Sequence, residues 1–263
     1  MIRVIVEQHA EDAAFLWSAR SAALEAPDTR LEDLVRMDER IEANLDGLRI
    51  AGHAGRRVAR LALRGGDAGE VFAAAVLACE STREGTLARL IHEAPQDEVA
   101  GGLCGAVRWV PFGRQHKAID ELRNGDSSVE RRAALVALVA HRRDPGTALL
   151  AAVLDDDPVL VATALRAIGE LGRSDLMVVL DAAMHADEPE SRFWAAWSAV
   201  LLGEAKGIGV LRAIAEHGGP RAEQAAEIVA MTLGLDEAAR FVERLAHRDA
   251  HRRAAARAAA AHG

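Results

Sequence analysis

A step of 31 residues restricts this chain more than any other feature. Pro158, Pro189 and Pro220 fall at that interval, and so do Gly172, Gly203 and Gly234. Proline suits the first position of a helix, where its missing N–H would be unpaired anyway and its fixed φ fits the turn. Glycine suits the position just past the last turn, where the chain enters the left-handed region. Each Pro-to-Gly interval therefore encloses one helix of about thirteen residues. Asp157, Glu188 and Gly219 precede the prolines and are the expected N-caps. A short polar turn follows each glycine, "RSD" at 173–175 or "EAK" at 204–206, and a second apolar-periodic stretch follows the turn. The unit is helix A, turn, helix B.

Core positions repeat with the same step. Ala133, Ala164, Ala195 and Ala226 form a small-residue column, and Leu171, Leu202 and Leu233 close helix A. Leu149, Leu180, Leu211 and Val242 form a column in helix B. A single helix pair cannot bury both of its apolar faces, so successive pairs are expected to stack. Composition agrees with helix: Ala, Leu and Val dominate, aromatic residues are 3% and Tyr is absent, whereas strands favour aromatic and β-branched residues. The same unit is legible upstream in 125–156, in 96–124 with Pro111 and Gly113 in its turn, and in 67–94. The expected count is six pairs over 67–247.

The two ends depart from the period. Residues 1–66 read as an N-terminal helical cap. Its first helix covers 6–26 with Phe15, Leu16 and Ala19 as the apolar stripe. The second lies in 27–52, with Leu31, Leu34, Met37, Ile41, Leu45 and Leu48 at helical spacing, and the third covers 53–66. Residues 248–263 read as an incomplete repeat or a frayed C-terminal helix, as a truncated chain would leave.

The formal net charge of -8 argues against general binding to nucleic-acid phosphates, which requires clustered Lys and Arg. Two basic runs, "RRVARLALR" at 56–64 and "HRDAHRRAAAR" at 247–257, read as solvated faces of amphipathic helices. Cys79 and Cys104 are too few for a disulfide framework and sit among apolar residues, so buried thiols and a cytoplasmic location are expected. The N-terminus lacks the pattern of a signal peptide. No stretch approaches the roughly 18 apolar residues of a membrane span.

The Pro-Asp helix-pair pattern, best seen in "DDPVLVATALRAIGELG" at 156–172, resembles HEAT-like repeats of the phycobilisome-lyase type. That resemblance implies a right-handed α-solenoid of HEAT-like helix pairs. "VEQHAEDAAFLW" at 6–17 and "RMDERIEANLDGLRIAG" at 36–52 are similar to the opening of a bacterial HEAT-repeat family. Genes of that family often lie near type VI secretion genes. No catalytic residues are carried over from it.

The residues themselves point to no reaction. Iron-binding HEAT-like hydroxylases use several His-Glu pairs, whereas this chain has one, His92-Glu93. His116, His185, His217 and His247 recur near helix B, but helices stacked about 10 Å apart spread them too far for one ion. In "LDDDP" at 154–158, Asp157 reads as an N-cap and its neighbours as helix N-terminal charges. "RGGDAGE" at 64–70 and "GEAKGIG" at 203–209 lack the Lys-Ser/Thr of a phosphate loop. No catalytic residue, metal or cofactor is expected. "SRFWAAWSA" at 191–199 stands out in an aromatic-poor chain. Trp194 and Trp197 fall in columns that are polar elsewhere, which places them outside the main core stripe, flanked by Arg192. Together they suggest an aromatic anchor for a partner. Trp109 and Phe112 form a second candidate near a turn.

The expected function is a non-catalytic protein-binding scaffold or adaptor. The resemblance implies a secretion-system component or effector as its partner. The alternative is a HEAT-like enzyme or a small-ligand or nucleic-acid binder acting through the concave face, which would need convergent polar groups or a basic stripe.

Overall fold

A computed structural model describes residues 3–26, 28–64, 66–81, 83, 85–94 and 96–247. Every regular element among them is helical. The chain divides into two compact units, Met1–Ala148 and Leu149–Gly263.

The first unit holds α1 (Arg3–Ala23), α2 (Leu31–Ile50), α3 (His53–Ala62), α4 (Ala68–Cys79), α5 (Thr86–Glu93), α6 (Gln96–Trp109), α7 (Phe112–Arg123) and α8 (Ser128–Ala140). At its centre is α4, which carries a single charged residue, Glu70, and is buried from Val71 to Cys79. A helix apolar all round must be enclosed on all sides, and α1, α3, α5, α6 and α7 enclose it. Close approach depends on missing side chains. A Cβ on Gly69 would stand 2.4 Å from the Ala14 carbonyl oxygen, and one on Gly102 would stand 2.5 Å from that of Ala68. Here α1 and α6 both rest on α4 through backbone contact. One apolar core runs from Val6 to Leu138, so α1 to α3 share it with the helices that follow.

The stripes expected in α1 and α2 need correction. Val6, Ala10, Ala13, Ala14 and Leu16 are buried in α1, while Phe15 is 71% exposed and Ala19 half-buried. In α2, Ile41, Leu45 and Leu48 enter the core, but Leu31 is 77% exposed. Helical spacing identifies a face; it does not say how far a neighbouring helix extends along that face.

The second unit starts within α9 (Thr147–Val153) and continues with α10 (Pro158–Glu170), a 3-10 turn at Ser174–Leu176, α11 (Met177–Ala183), α12 (Pro189–Leu201), α13 (Ala205–His217) and α14 (Ala222–Thr232). Residues 235–247 are also helical. α10 packs on α12, α12 on α11 and α13, and α13 on α14. Two of the three Pro-to-Gly intervals behave as expected. Pro158 and Pro189 open their helices, and the carboxylates of Asp157 and Glu188 accept from the first-turn N–H groups. At the far ends Gly172 and Gly203 take φ of +70° and +87°. The Arg173 N–H donates to the Ile168 carbonyl and the Glu204 N–H to that of Ala199, at 3.0 and 2.9 Å. This is the Schellman closure.

The third interval does not follow. Pro220 lies ahead of the cap, Arg221, and α14 begins at Ala222. The positive φ values belong to Gly218 and Gly219, at +77° and +119°, and not to Gly234. This longer linker shifts the register. Leu149, Leu180 and Leu211 are fully buried, yet Val242 is 52% exposed and its neighbour Phe241 takes the core position. Likewise Ala225 is buried where Ala226 was expected, while Ala133, Ala164 and Ala195 are all buried.

Candidate functional site

The aromatic candidate is built on α12. Burial of Ser191, Phe193, Ala195, Ala196, Ser198 and Ala199 sets that helix's inner face. The Ser198 hydroxyl donates to the Leu165 carbonyl at 2.7 Å, and the missing side chain of Gly169 makes room for it. This backbone-level contact between α10 and α12 fixes how α12 is rotated. Trp194 and Trp197, three positions apart, then emerge half-buried on a common side.

The two indoles meet edge to face, with centroids 5.4 Å apart at 82°. The Arg166 guanidinium of α10 stands 4.7 Å from the Trp194 ring centroid and 5.8 Å from that of Trp197. Arg221, the cap of α14, stands 5.3 Å from Trp194 and 5.4 Å from Phe193. Each cation is itself held by a carboxylate. Arg166 Nε donates to Glu170 at 2.8 Å, and Arg221 donates through Nε and Nη2 to the two oxygens of Glu190, both at 2.8 Å. Trp194 Nε1 donates to the same Glu190 carboxylate at 3.2 Å. The Arg221 hydrogen bonds hold the Glu190 carboxyl below its ordinary range. Side chains from α10, α12 and the start of α14 thus form one aromatic–guanidinium cluster. It offers polarised ring faces and fixed charges, the chemistry of an interface anchor.

Arg192 does not flank the indoles as expected. Its guanidinium turns back to the Ala186 carbonyl at 3.1 Å. Arg131, four residues after the Ser127 cap as Arg192 is four after Glu188, does the same to the Asp126 carbonyl at 2.7 Å. These arginines tie each helix to the turn before it. Arg166 and Arg221 take the positions over the rings. Neither was legible as a site residue, because each reaches Trp194 from a different helix.

Trp109 and Phe112 belong to the first unit. Trp109 packs edge-on against Phe72, with centroids 5.6 Å apart, and its Nε1 donates to Glu42 at 2.6 Å. Glu42 also accepts from Arg49, which binds Asp46 and Glu80. Trp17, not singled out by sequence, stacks on Phe72 at 5.0 Å and 14°. Gly105 leaves space for its ring. Phe112 meets the His141 ring at 5.9 Å, and the Arg143 guanidinium lies 4.8 Å from its centroid. Trp109 is therefore tied into the wall of the core, and Phe112 packs against the same core, also half-buried.

The remaining candidates resolve locally. His116 and His217 each donate through Nδ1 to a carbonyl of their own helix, those of Gly113 and Ala213, and His185, in the turn after α11, donates to that of Asp181. Glu93 of the His-Glu pair is bound by Arg60. Among the described residues no three His, Cys, Asp or Glu side chains gather where a metal ion could be held. Both cysteines are buried, and burial pushes the Cys79 thiol up to about 12. No described helix is long and apolar enough to cross a membrane. Comparison with protein-family models, with curated proteins and with solved structures finds no match.

Proposed function

We propose that the chain is a non-catalytic protein-binding scaffold, a right-handed α-solenoid of HEAT-like helix pairs that presents the Trp194–Trp197 cluster to a partner protein. One observation carries this reading. The two indoles are half-buried yet fixed by Arg166, Arg221 and Glu190, so little side-chain entropy remains to be lost on binding. Large, rigid aromatic groups beside arginines are the residues that dominate interface energetics. The stacked reading rests on A helices packing on the next A helices within each unit, α4 on α6, α6 on α8 and α10 on α12. The resemblance to a family encoded beside type VI secretion genes supplies the narrower proposal that the partner is a secretion component or effector. The test is quantitative affinity capture with the native chain and with a Trp194→Ala, Trp197→Ala variant whose helical content matches it. Loss of a partner from the variant supports the reading. Identical capture by both chains removes the cluster as the site.

A further inference from the structure

The basic run at 56–64, read from sequence as a solvated stripe, lines a groove. Arg56, Arg57 and Arg60 project from α3 and Arg64 from the turn after it, facing Arg83 and Arg89 from the loop before α5 and from α5 itself. The groove has a volume of about 680 Å³, and buried Leu63, Leu77 and Leu90 lie among the residues beneath it. All six arginines are exposed. Glu93 is the one carboxylate among the described lining residues. In a chain of net charge -8, six guanidiniums against one carboxylate make a local positive field of opposite sign to the whole.

We infer that this groove binds an acidic polypeptide segment, an extended run with carboxylates on alternate residues. Spacing selects that ligand. Arg56 and Arg60 stand four residues apart on α3, a step of about 6 Å at 1.5 Å per residue, and Arg64 follows in the turn just past the helix. Side chains on one face of an extended chain recur every about 6.6–6.8 Å, so consecutive carboxylates meet consecutive guanidiniums. Glu93 already shows the mode. Its two oxygens are held by Nε and Nη2 of Arg60, the forked pairing that guanidinium makes with carboxylate. Arg60 holds the Glu93 carboxyl below its ordinary range, and Arg89 and Arg64 act on it in the same direction. Nucleic acid is the less favoured occupant, because the chain as a whole is acidic, with a net charge of -8. This site is separate from the Trp194 cluster and does not depend on the scaffold reading.

The probe is a fluorescein-labelled decapeptide of alternating Glu and Ser, followed by anisotropy at low salt, with an alternating Gln and Ser peptide as control. The full chain is expected to bind the acidic peptide, more weakly as salt rises, and not the control. An Arg56→Gln, Arg57→Gln, Arg64→Gln variant, with unchanged circular dichroism, is expected to bind at least about tenfold more weakly. Glu93→Gln, which frees Arg60, is expected to bind more tightly. The Trp194→Ala, Trp197→Ala variant is expected to bind as the native chain does. No binding, equal binding of the control, or undiminished binding by the triple variant would overturn the inference. So would loss of binding in the tryptophan variant, or stronger binding of pyrophosphate or a single-stranded oligonucleotide than of the acidic peptide.

Discussion

Gly169 and Gly209 show how differently one residue type can count. A Cβ on Gly169 would stand 2.6 Å from the Ser198 hydroxyl and 2.7 Å from its Cα. Backbone cannot yield as a flexible side chain can, so Gly169→Ala is expected to destabilise by about 1–3 kcal/mol, the range for overpacking. Gly209 lies within α13 with nothing within 4 Å of the added carbon. Gly209→Ala is expected to stabilise by about 0.5–1 kcal/mol, because alanine loses less backbone entropy in a helix. Urea midpoints of the two variants at constant m-value test both signs. Glu190 gives a pH signature. Its folded pKa lies below the ordinary 4.5, chiefly through Arg221. Its contribution is therefore present above that ordinary value and lost as pH falls through the folded one. The stability difference between native chain and Glu190→Gln is expected to shrink below about pH 4. The carboxylate is 37% exposed, so screening keeps the effect small.

At the scale of the helix, start and stop signals divide into those that act and those that only look alike. The Ser127 hydroxyl accepts from the Glu130 N–H while the Glu130 carboxylate accepts from the Ser127 N–H, and Asp157 accepts from two N–H groups. Ser127→Ala and Asp157→Ala are each expected to cost about 1 kcal/mol, read from chemical unfolding. Gly172 and Gly203 occupy the left-handed region, where a Cβ costs about 1–2 kcal/mol. Gly234 falls at the same sequence step without that conformation. Gly172→Ala and Gly203→Ala are therefore expected to destabilise, whereas Gly234→Ala lacks that penalty. A matching loss at Gly234 in thermal melts would mean the third unit closes as the other two do. The structural step, counted between the caps Ser127, Asp157, Glu188 and Arg221, is 30, 31 and 33 residues. The constant interval in the sequence is therefore an average that the turns relax locally.

For the whole molecule, the four tryptophans are divided evenly between the two compact units. Trp17 and Trp109 lie in the first and Trp194 and Trp197 in the second. Contacts cluster within each unit, and arrays built from neighbour contacts can lose all-or-none cooperativity. In a Trp194→Phe, Trp197→Phe variant, fluorescence reports the first unit alone while far-ultraviolet circular dichroism reports both. The two unfolding curves of that variant are expected not to coincide. Coincident curves would establish one cooperative transition across both units.

Local chemistry was legible without coordinates. Helical class, the caps Asp157 and Glu188 and the glycine stops at 172 and 203 follow from interactions spanning no more than six residues, and the buried column through Leu149, Leu180 and Leu211 follows from the 31-residue step. The caps and stops are complete within a short window of sequence, and the column within one repeat step. The register of the last unit was not legible, because Gly218 and Gly219 adopt conformations that their identity permits without requiring. The cluster around Trp194 and the arginine groove were also out of reach. Arg166, Trp194 and Arg221 stand about one repeat apart in sequence and meet only when α10, α12 and α14 are placed. Arg60 finds Glu93 across 33 residues. Sequence determined which residues were helical and where most helices stop. Tertiary structure alone decided which charges and rings face one another, because that depends on helix rotation, set by backbone contacts such as that between Gly169 and Ser198.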